Sequence, residues 1–321
     1  MTKTGTVLVT GASGYVGGRL IPLLLAEGLS VRAMARRPEA LADRPWIDDV
    51  EVVQADATDA AALATALAGI DVAYYLIHSM GSGRRFESLD RRSARSFGKA
   101  AREAGVRRII YLGALHPDKD ELSPHLESRR ESGEELLASG VPTTVLQAAI
   151  AVGHESASYE MIRYLVKRLP LMVAPRWIEN DIQPIGIDDL LYYLVGVLEM
   201  PDDVNRTFDI GGPDVLTYKQ MMQRFAQLAG RRRPPVQAVP VMTPWLASHW
   251  VGLVTPISAE IAKPLVGSLQ HEVVCKEHDI AQYVPDPQGG LVGYDEAVRR
   301  ALAEAAGRGV STPSVPPVAH A

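Results

Sequence analysis

The stretch that decides the fold is VLVTGASGYVGGRL, residues 7–20. It begins as an apolar, β-branched run and continues into a helical pattern, so its glycines lie in a strand-to-helix turn. Gly11 permits the tight turn, Gly14 lets the backbone approach a pyrophosphate, and Gly17 lets helix pack on strand. The helix N-terminus supplies unpaired N–H donors for phosphate oxygens, so the motif predicts a dinucleotide site. Its predicted cofactor residues are Gly11, Ser13, Gly14, Tyr15, Val16 and Gly17.

Short β-rich runs alternate with amphipathic helices over the first half of the chain. The pattern predicts strands at 6–9, 30–35, 50–55, 72–77, 108–112 and 143–146, and helices at 16–26, 60–68, 86–104 and 126–139. A glycine lies between each of these helices and the next strand, where positive φ ends a helix; the four are Gly28, Gly69, Gly105 and Gly140. The alternation predicts an α/β fold with a doubly wound parallel (Rossmann) sheet covered on both faces.

The regular alternation stops near residue 150, which indicates three parts of the chain. Residues 1–150 are expected to form an NADP-binding Rossmann domain, for the reasons given below. Residues 151–305 are expected to form a smaller, mixed substrate lobe, partly interleaved with the Rossmann core. It should contain helices at 159–167, 188–198 and 218–228 and a strand at 207–210. Residues 306–321 are rich in Pro, Ser, Gly and Ala, which predicts a disordered tail.

Composition narrows the classes of function. The chain has 321 residues, 47% of them hydrophobic, and a formal net charge of -5, which provides no basic surface for nucleic acid. Cys275 is the one cysteine, so a disulfide framework is excluded. The eight histidines are scattered, and none pairs with another residue at ligand spacing on one helix, so no metal site is expected.

The same composition bears on location. No basic region followed by a long apolar stretch is seen near the N-terminus, so no signal peptide is expected and the cytoplasm is predicted. The most apolar stretch, 239–257, is interrupted by prolines and falls short of a membrane span. Because it carries Trp245 and Trp250, it is compatible with peripheral membrane contact, a subunit contact, a cover over an apolar substrate, or core packing.

The end of the second strand bears on the choice of cofactor. An acidic residue there, roughly 20 residues past the glycines, would bind the ribose hydroxyls and mark NAD. Here the strand ends in Arg36 and Arg37, whose guanidinium groups suit a 2′-phosphate, so NADP(H) is predicted unless both are solvated surface charges. Asp56 and Ala57 end the third strand. Asp56 suits the adenine amino group, while Thr58 and Asp59 suit the cap of the next helix.

These segments together resemble the atypical short-chain dehydrogenase/reductases, the group that includes NmrA-like and isoflavone-reductase-like proteins. The resemblance rests on the glycine motif, the basic end of strand two, Asp56, and the run YYLIHS at 74–79. The later runs QPIGIDD (183–189) and FDIGGP (208–213) look like the C-terminal part of extended, sugar-nucleotide-epimerase-like members. The resemblance implies a nicotinamide cofactor and makes pairing through the helices at 86–104 and 126–139 natural. His78 follows strand four at the carboxyl edge of the sheet, where ligands bind, so it is expected to be a cofactor-pocket or loop residue.

The chain departs from that family at the catalytic residues. Orthodox relatives use a serine after strand five and a Tyr-x-x-x-Lys pair one helix later. Here no serine follows strand five, and His125 and Arg129 stand at the tyrosine and lysine spacing. Imidazole can donate a proton near neutral pH and a guanidinium can hydrogen-bond ribose hydroxyls, so these two are the candidate catalytic residues. The alternative is that His125 lies near solvent and Arg129 is a surface charge paired with neighbouring glutamates.

Four residues after strand six are candidates for contact with a small-molecule substrate. They are His154, Tyr159, Arg176 and Trp177. Alternatively, Tyr159 joins Ile162 and Leu165 in a core stripe at helical spacing. The resulting hypothesis is an NADP(H)-dependent oxidoreductase acting on a small or moderately hydrophobic organic compound. The competing hypothesis, which explains the missing Tyr-Lys pair, is a regulator or assembly factor that binds NADP(H) without turnover, as NmrA-like relatives do.

Overall fold

A computed structural model describes residues 5–77, 86–118, 121–168, 172–232, 236–239 and 259–307. The strands are β1 (Thr6–Thr10), β2 (Ser30–Ala35), β3 (Glu51–Gln54), β4 (Val72–Tyr75), β5 (Arg108–Ala114), β6 (Thr143–Ala148), β7 (Ala151–Val152), β8 (Met172–Pro175), β9 (Asp181–Ile182), β10 (Ile185–Gly186), β11 (Arg206–Ile210), β12 (Leu216–Thr217) and β13 (Val236–Val239). The helices are α1 (Tyr15–Ala26), α2 (Ala60–Leu67), α3 (Phe86–Glu103), α4 (Pro124–Leu137), α5 (Ala157–Arg168), α6 (Ile187–Gly196), α7 (Tyr218–Leu228), α8 (Ala259–Ser268) and α9 (Tyr294–Ala305).

The main sheet has seven parallel strands in the order β11-β6-β5-β4-β1-β2-β3. The chain builds outward from β1 through β2 and β3, then crosses to β4 and builds in the other direction. The β1/β4 boundary is therefore the topological switch point, outside which ligands bind in sheets of this kind. The predicted doubly wound parallel sheet is confirmed.

Helices cover both faces of this sheet because successive strand residues point to opposite sides. Val7, Val9 and Tyr74 pack into a core that includes residues of α1 and α6. Leu8 and Tyr75 pack into a second core with residues of α2, α3 and α4. The four predicted helix-ending glycines all have positive φ, as expected for chain reversal between helix and strand.

The second half of the chain contributes to both lobes. A third core gathers residues of α5, α7, α8 and α9 away from the main sheet. In contrast, α6 packs on α1, and β11 adds to β6 as the edge strand of the main sheet. The second half is thus interleaved with the Rossmann sheet, and the proposed boundaries near 150 and 305 stay a prediction.

Besides His78, two further expectations from the sequence fall on residues beyond the described ones. The stretch with Trp245 and Trp250 lies outside them, as does the tail from residue 308 onward. Over the described ranges we find no helix with the length and apolar character needed to cross a bilayer.

Candidate cofactor-binding site

A pocket of about 530 Å³ lies at the carboxyl ends of the strands around the switch point. The phosphate-loop part of its wall is formed by Gly11, Ser13, Gly14, Tyr15, Val16 and Gly17. The rest of its wall is formed by Met34, Ala35, Arg36, Ala55, Asp56, Ala57, Thr58, Leu76, Ile77, Leu89, Ser93 and Leu112. The structure therefore brings all six predicted glycine-motif residues together with Arg36, Asp56 and Ala57.

The glycine loop has a geometry that side chains would obstruct. Gly11 has φ +65°, and a Cβ there would lie 2.5 Å from the Leu76 carbonyl oxygen. A Cβ on Gly17 would lie 2.5 Å from the Gly11 carbonyl oxygen. The Gly14 N–H donates to that same oxygen at 2.9 Å, and α1 begins at the next residue. The loop is a cradle of bare backbone at a helix N-terminus, which fits a pyrophosphate.

The Thr10 side chain links the strands on either side of the switch point. Its hydroxyl donates to the Tyr74 carbonyl oxygen at 3.0 Å and accepts from the Leu76 N–H at 2.9 Å. The group is fully buried, so these hydrogen bonds fix the floor of the cradle against the end of β4.

The ends of β2 and β3 form the other side of the pocket. Arg36 is exposed and forms part of the wall, whereas Arg37 lies outside the wall at the start of a 3-10 helix. The Thr58 hydroxyl and N–H donate to Asp56 Oδ1 at 2.7 and 2.8 Å, and with the Arg36 charge they lower the pKa of Asp56. Asp59 caps α2, as one interpretation predicted. Among its described residues, the wall thus presents one cation and one ionised carboxylate.

His125 occupies the first turn of α4 and is buried. The alternative that placed it near solvent is wrong, because α8 packs against α4 and the Ser123 N–H donates to His271 Nε2 at 3.0 Å. Burial, with the Arg129 charge, lowers the pKa of His125 to about 3. The imidazole is therefore neutral at physiological pH and carries no readily released proton, and neither His125 nor Arg129 is among the described residues that line the pocket.

Arg129 is also buried, so its interpretation as a surface charge is wrong. Its guanidinium forms an ion pair with Asp90 of α3 at 2.7 Å, and both side chains are almost fully buried. Nη1 also donates to the Ile77 carbonyl oxygen at 3.4 Å. The cation therefore faces the end of β4 and not the surface glutamates.

The four candidate substrate residues are not among the described residues that line this pocket. Tyr159 is buried against Phe225 in the third core, together with Ile162 and Leu165. His154 and Trp177 are partly buried, and Arg176 is exposed. None of the four is in the pocket wall over the described residues. Their contact with a substrate stays a prediction, as does the role of His78, which lies outside the described residues.

A second cavity of about 700 Å³ opens beyond β11, between Gly211, Gly212 and the segment from Cys275 to His278. Several of its polar groups already form hydrogen bonds within the protein. The Gln183 amide donates to the Gly212 carbonyl oxygen and accepts from the Cys275 N–H, and Glu277 accepts from the Asp209 N–H. Burial raises the pKa of the Cys275 thiol to about 12, so it is no nucleophile at neutral pH.

Sequence reasoning missed the residues that enter the pocket from β4, β5 and α3. Leu76, Ile77 and Leu112 carried a usable signal, because they follow or end predicted strands whose carboxyl ends meet at the binding edge. Leu89 and Ser93 carried no such signal in the sequence, because the packing of α3 on α2 and α4 determines which of its residues reach the pocket.

Comparison with known proteins agrees with this geometry. The sequence pattern of an NAD(P)H-binding family matches residues 11–163. A (4-alkanoyl-5-oxo-2,5-dihydrofuran-3-yl)methyl phosphate reductase of Streptomyces griseus is 30% identical over 235 residues, covering 70% of this chain and 74% of that protein.

Two solved structures show the same fold at lower identity. Citrobacter sp. triphenylmethane reductase complexed with NADP(H) has a TM-score of 0.71 at 20% identity, covering 92% of this chain and 99% of that one. An Escherichia coli NADPH-dependent quinone oxidoreductase complexed with NADPH has a TM-score of 0.70 at 20% identity, covering 91% and 98%.

A parallel sheet with a bare-backbone cradle at its switch point defines an NAD(P)H-binding Rossmann protein. The chain belongs to the NAD(P)H-dependent reductase family of NmrA-like, atypical short-chain dehydrogenase/reductases.

Proposed function

We propose that the protein is an NADP(H)-dependent reductase of a small or moderately hydrophobic organic compound. The observation that carries the choice of NADP(H) is Arg36 at the end of β2, in the wall of the cofactor pocket. A 2′-phosphate at this point would receive a forked, permanently charged donor. Asp56 follows the neighbouring strand β3, and Thr58 donates two hydrogen bonds to its carboxylate, so Asp56 need not compete with the phosphate for Arg36.

Replacing Arg36 by alanine should weaken NADPH binding by about tenfold to a hundredfold, since a hydrogen bond to a charged group contributes about 1.5–3 kcal/mol. NADH binding should stay unchanged, because NADH lacks the phosphate. Calorimetric titration with NADPH, NADP+, NADH and NAD+ measures both. Arg37→Ala is the matched control, because that side chain is equally charged and exposed but lies outside the pocket wall. Equal affinity of the unaltered protein for NADH and NADPH would contradict the proposed cofactor.

We propose that His125, which is buried in α4 and is not among the described wall residues, acts as a neutral hydrogen-bond donor to the substrate. When bound in the pocket, NADPH would supply the hydride. The reduction also needs a proton, which a neutral imidazole does not readily give up and which must then come from water. A hydrogen bond from His125 would stabilise negative charge that develops on a substrate oxygen.

The variants His125→Phe and His125→Gln separate donation from packing. Phenylalanine fills a similar volume without a donor, and turnover should fall by about a hundredfold, as expected when a donor to developing negative charge is removed. Glutamine keeps an N–H donor that does not titrate, so it should retain more turnover than phenylalanine. The assay follows NADPH oxidation with 1,4-benzoquinone and with a triphenylmethane dye, the substrate classes in the names of two structural relatives. Unchanged turnover in His125→Phe would remove this residue from the mechanism.

A second candidate function is a non-catalytic NADP(H) sensor or assembly factor. The burial of His125 and Arg129 favours it, because neither side chain acts as the exposed acid and cation of an orthodox reductase. A sensor requires different affinities for NADPH and NADP+ and no turnover. A large ratio of the two affinities, together with no NADPH oxidation by either test substrate, would favour the sensor over the reductase.

A further inference from the structure

A buried polar network joins α3, α4 and the end of β4. Arg129 Nη2 donates to Asp90 Oδ2 at 2.7 Å, and the two side chains are 2% and 3% exposed. The Ser128 hydroxyl donates to the same Asp90 oxygen at 3.1 Å. A carboxylate and a guanidinium are therefore held together in the interior, where ions are costly to place.

The network touches the cofactor pocket without lining it. The second nitrogen of the Arg129 fork donates to the Ile77 carbonyl oxygen at 3.4 Å, and Ile77 forms part of the pocket wall. On α3, Asp90 follows Leu89 and precedes Ser93, both of which also line the pocket. The ion pair thus connects the α3 side of the pocket wall with the side formed by the end of β4, without itself lining the pocket.

The ion pair is better explained by geometry than by stability. Replacing a buried ion pair with apolar side chains is often neutral or stabilising, so burial alone does not account for it. A planar guanidinium can hold a carboxylate and a carbonyl oxygen in fixed directions, whereas a lysine ammonium is a point charge. Arg129 stands at the spacing where the family resemblance implies a cation for the cofactor ribose, yet Asp90 balances its charge.

We propose that Asp90 and Arg129 are positioning residues. They hold the end of β4 in place, where it forms the wall of one half of the cofactor pocket, the half away from Arg36. β4 and β5 lie on the opposite side of β1 from β2, which carries Arg36. The end of β4 therefore borders the part of a dinucleotide beyond its adenosine phosphate. This inference rests on the proposed NADP(H) site and adds the residues that shape its far end.

The test is the double variant Asp90→Leu/Arg129→Met, which removes both charges and leaves neither ion unpaired. Its thermal unfolding temperature should stay near that of the unaltered protein. Binding of 2′,5′-ADP, which reaches only the adenosine side, should change by less than about twofold, while NADPH binding weakens by about tenfold. The control, Asp71→Leu/Arg107→Met, removes an ion pair beside the amino ends of the strands and should affect neither ligand.

Each outcome is decisive. Unchanged NADPH binding in the double variant, or equal losses for both ligands, would overturn the positioning role. If the double variant fails to fold, Arg129→Lys replaces it. That variant keeps the cation but loses the fork, so it should lose NADPH affinity and keep 2′,5′-ADP affinity, and retention of both would overturn the role. Failure of the unaltered protein to bind either ligand would instead refute the proposed cofactor site itself.

Discussion

Replacing Gly17 by alanine is expected to weaken NADPH binding by about a hundredfold, because overpacking costs about 1–3 kcal/mol and must here displace backbone. The new Cβ would lie 2.5 Å from the Gly11 carbonyl oxygen and 3.2 Å from the Ala12 Cα atom. Neither atom can rotate away as a flexible side chain would. The helix must therefore move off the loop whose backbone we propose binds the phosphates, and calorimetric titration with NADPH measures the loss.

The adjacent Gly18→Ala is the matched control. Its Cβ would meet chiefly the Arg44 guanidinium, at 3.3 Å from Nη1, and that side chain can shift. Alanine also has the higher helix propensity, by about 1 kcal/mol in a helix interior. Gly18→Ala should therefore keep NADPH affinity and thermal stability. If Gly17→Ala bound NADPH as tightly as Gly18→Ala, the glycine cradle would not be the phosphate site.

The second large effect concerns acid stability and arises from His125. Its pKa is lowered from 6.5 to about 3 in the folded protein, first by burial and then by the Arg129 charge. The folded-state pKa lies below the unfolded one, so the stabilising contribution is fully present above about pH 6.5 and is lost as the pH falls toward 3. Between pH 7 and pH 4, this histidine should remove about 3 kcal/mol from the free energy of unfolding.

Urea unfolding at a series of pH values tests this expectation. His125→Phe does not titrate, so its free energy of unfolding should fall less between pH 7 and pH 4 than that of the unaltered protein. His278→Gln is the control, since that histidine is about half exposed and lies outside α4. It should leave the steep acid loss in place. Parallel curves for His125→Phe and the unaltered protein would show that His125 is already charged, or hydrated, in the fold.

The regular part of the fold was predictable because its local signals agree with its packing. The strand predicted at 30–35 and the helix predicted at 218–228 match β2 and α7 to the residue. The helix-ending glycines and the glycine cradle needed only chain geometry, which is local. Other boundaries coincided or shifted by one or two residues, as at β4, which ends at Tyr75 and not at residue 77.

The interior of the site was not predictable in the same way. On α3, Asp90 lies on one stripe with Ala94, Phe97 and Ala101, all buried, so a carboxylate at a core position was a usable sign of a buried partner. The partner could not be named, because Arg129 is 39 residues away and the pairing depends on how α3 packs against α4. The inner face of α4 is itself polar, which hides the periodicity that marks burial.

The position of β11 at the edge of the main sheet affects how this protein folds during synthesis and how it can be cut into fragments or joined with a relative. Until the ribosome has released residue 210, β6 is an open edge whose N–H and C=O groups can pair with another chain. A fragment ending near residue 150 would keep the glycine cradle but expose that edge and lose α6, which packs on α1. A chimaera that exchanges the second lobe with that of a relative must therefore keep this chain through Ile210. The reason is that α6 and β11, which come from the second half of the sequence, complete the Rossmann sheet and its helical cover.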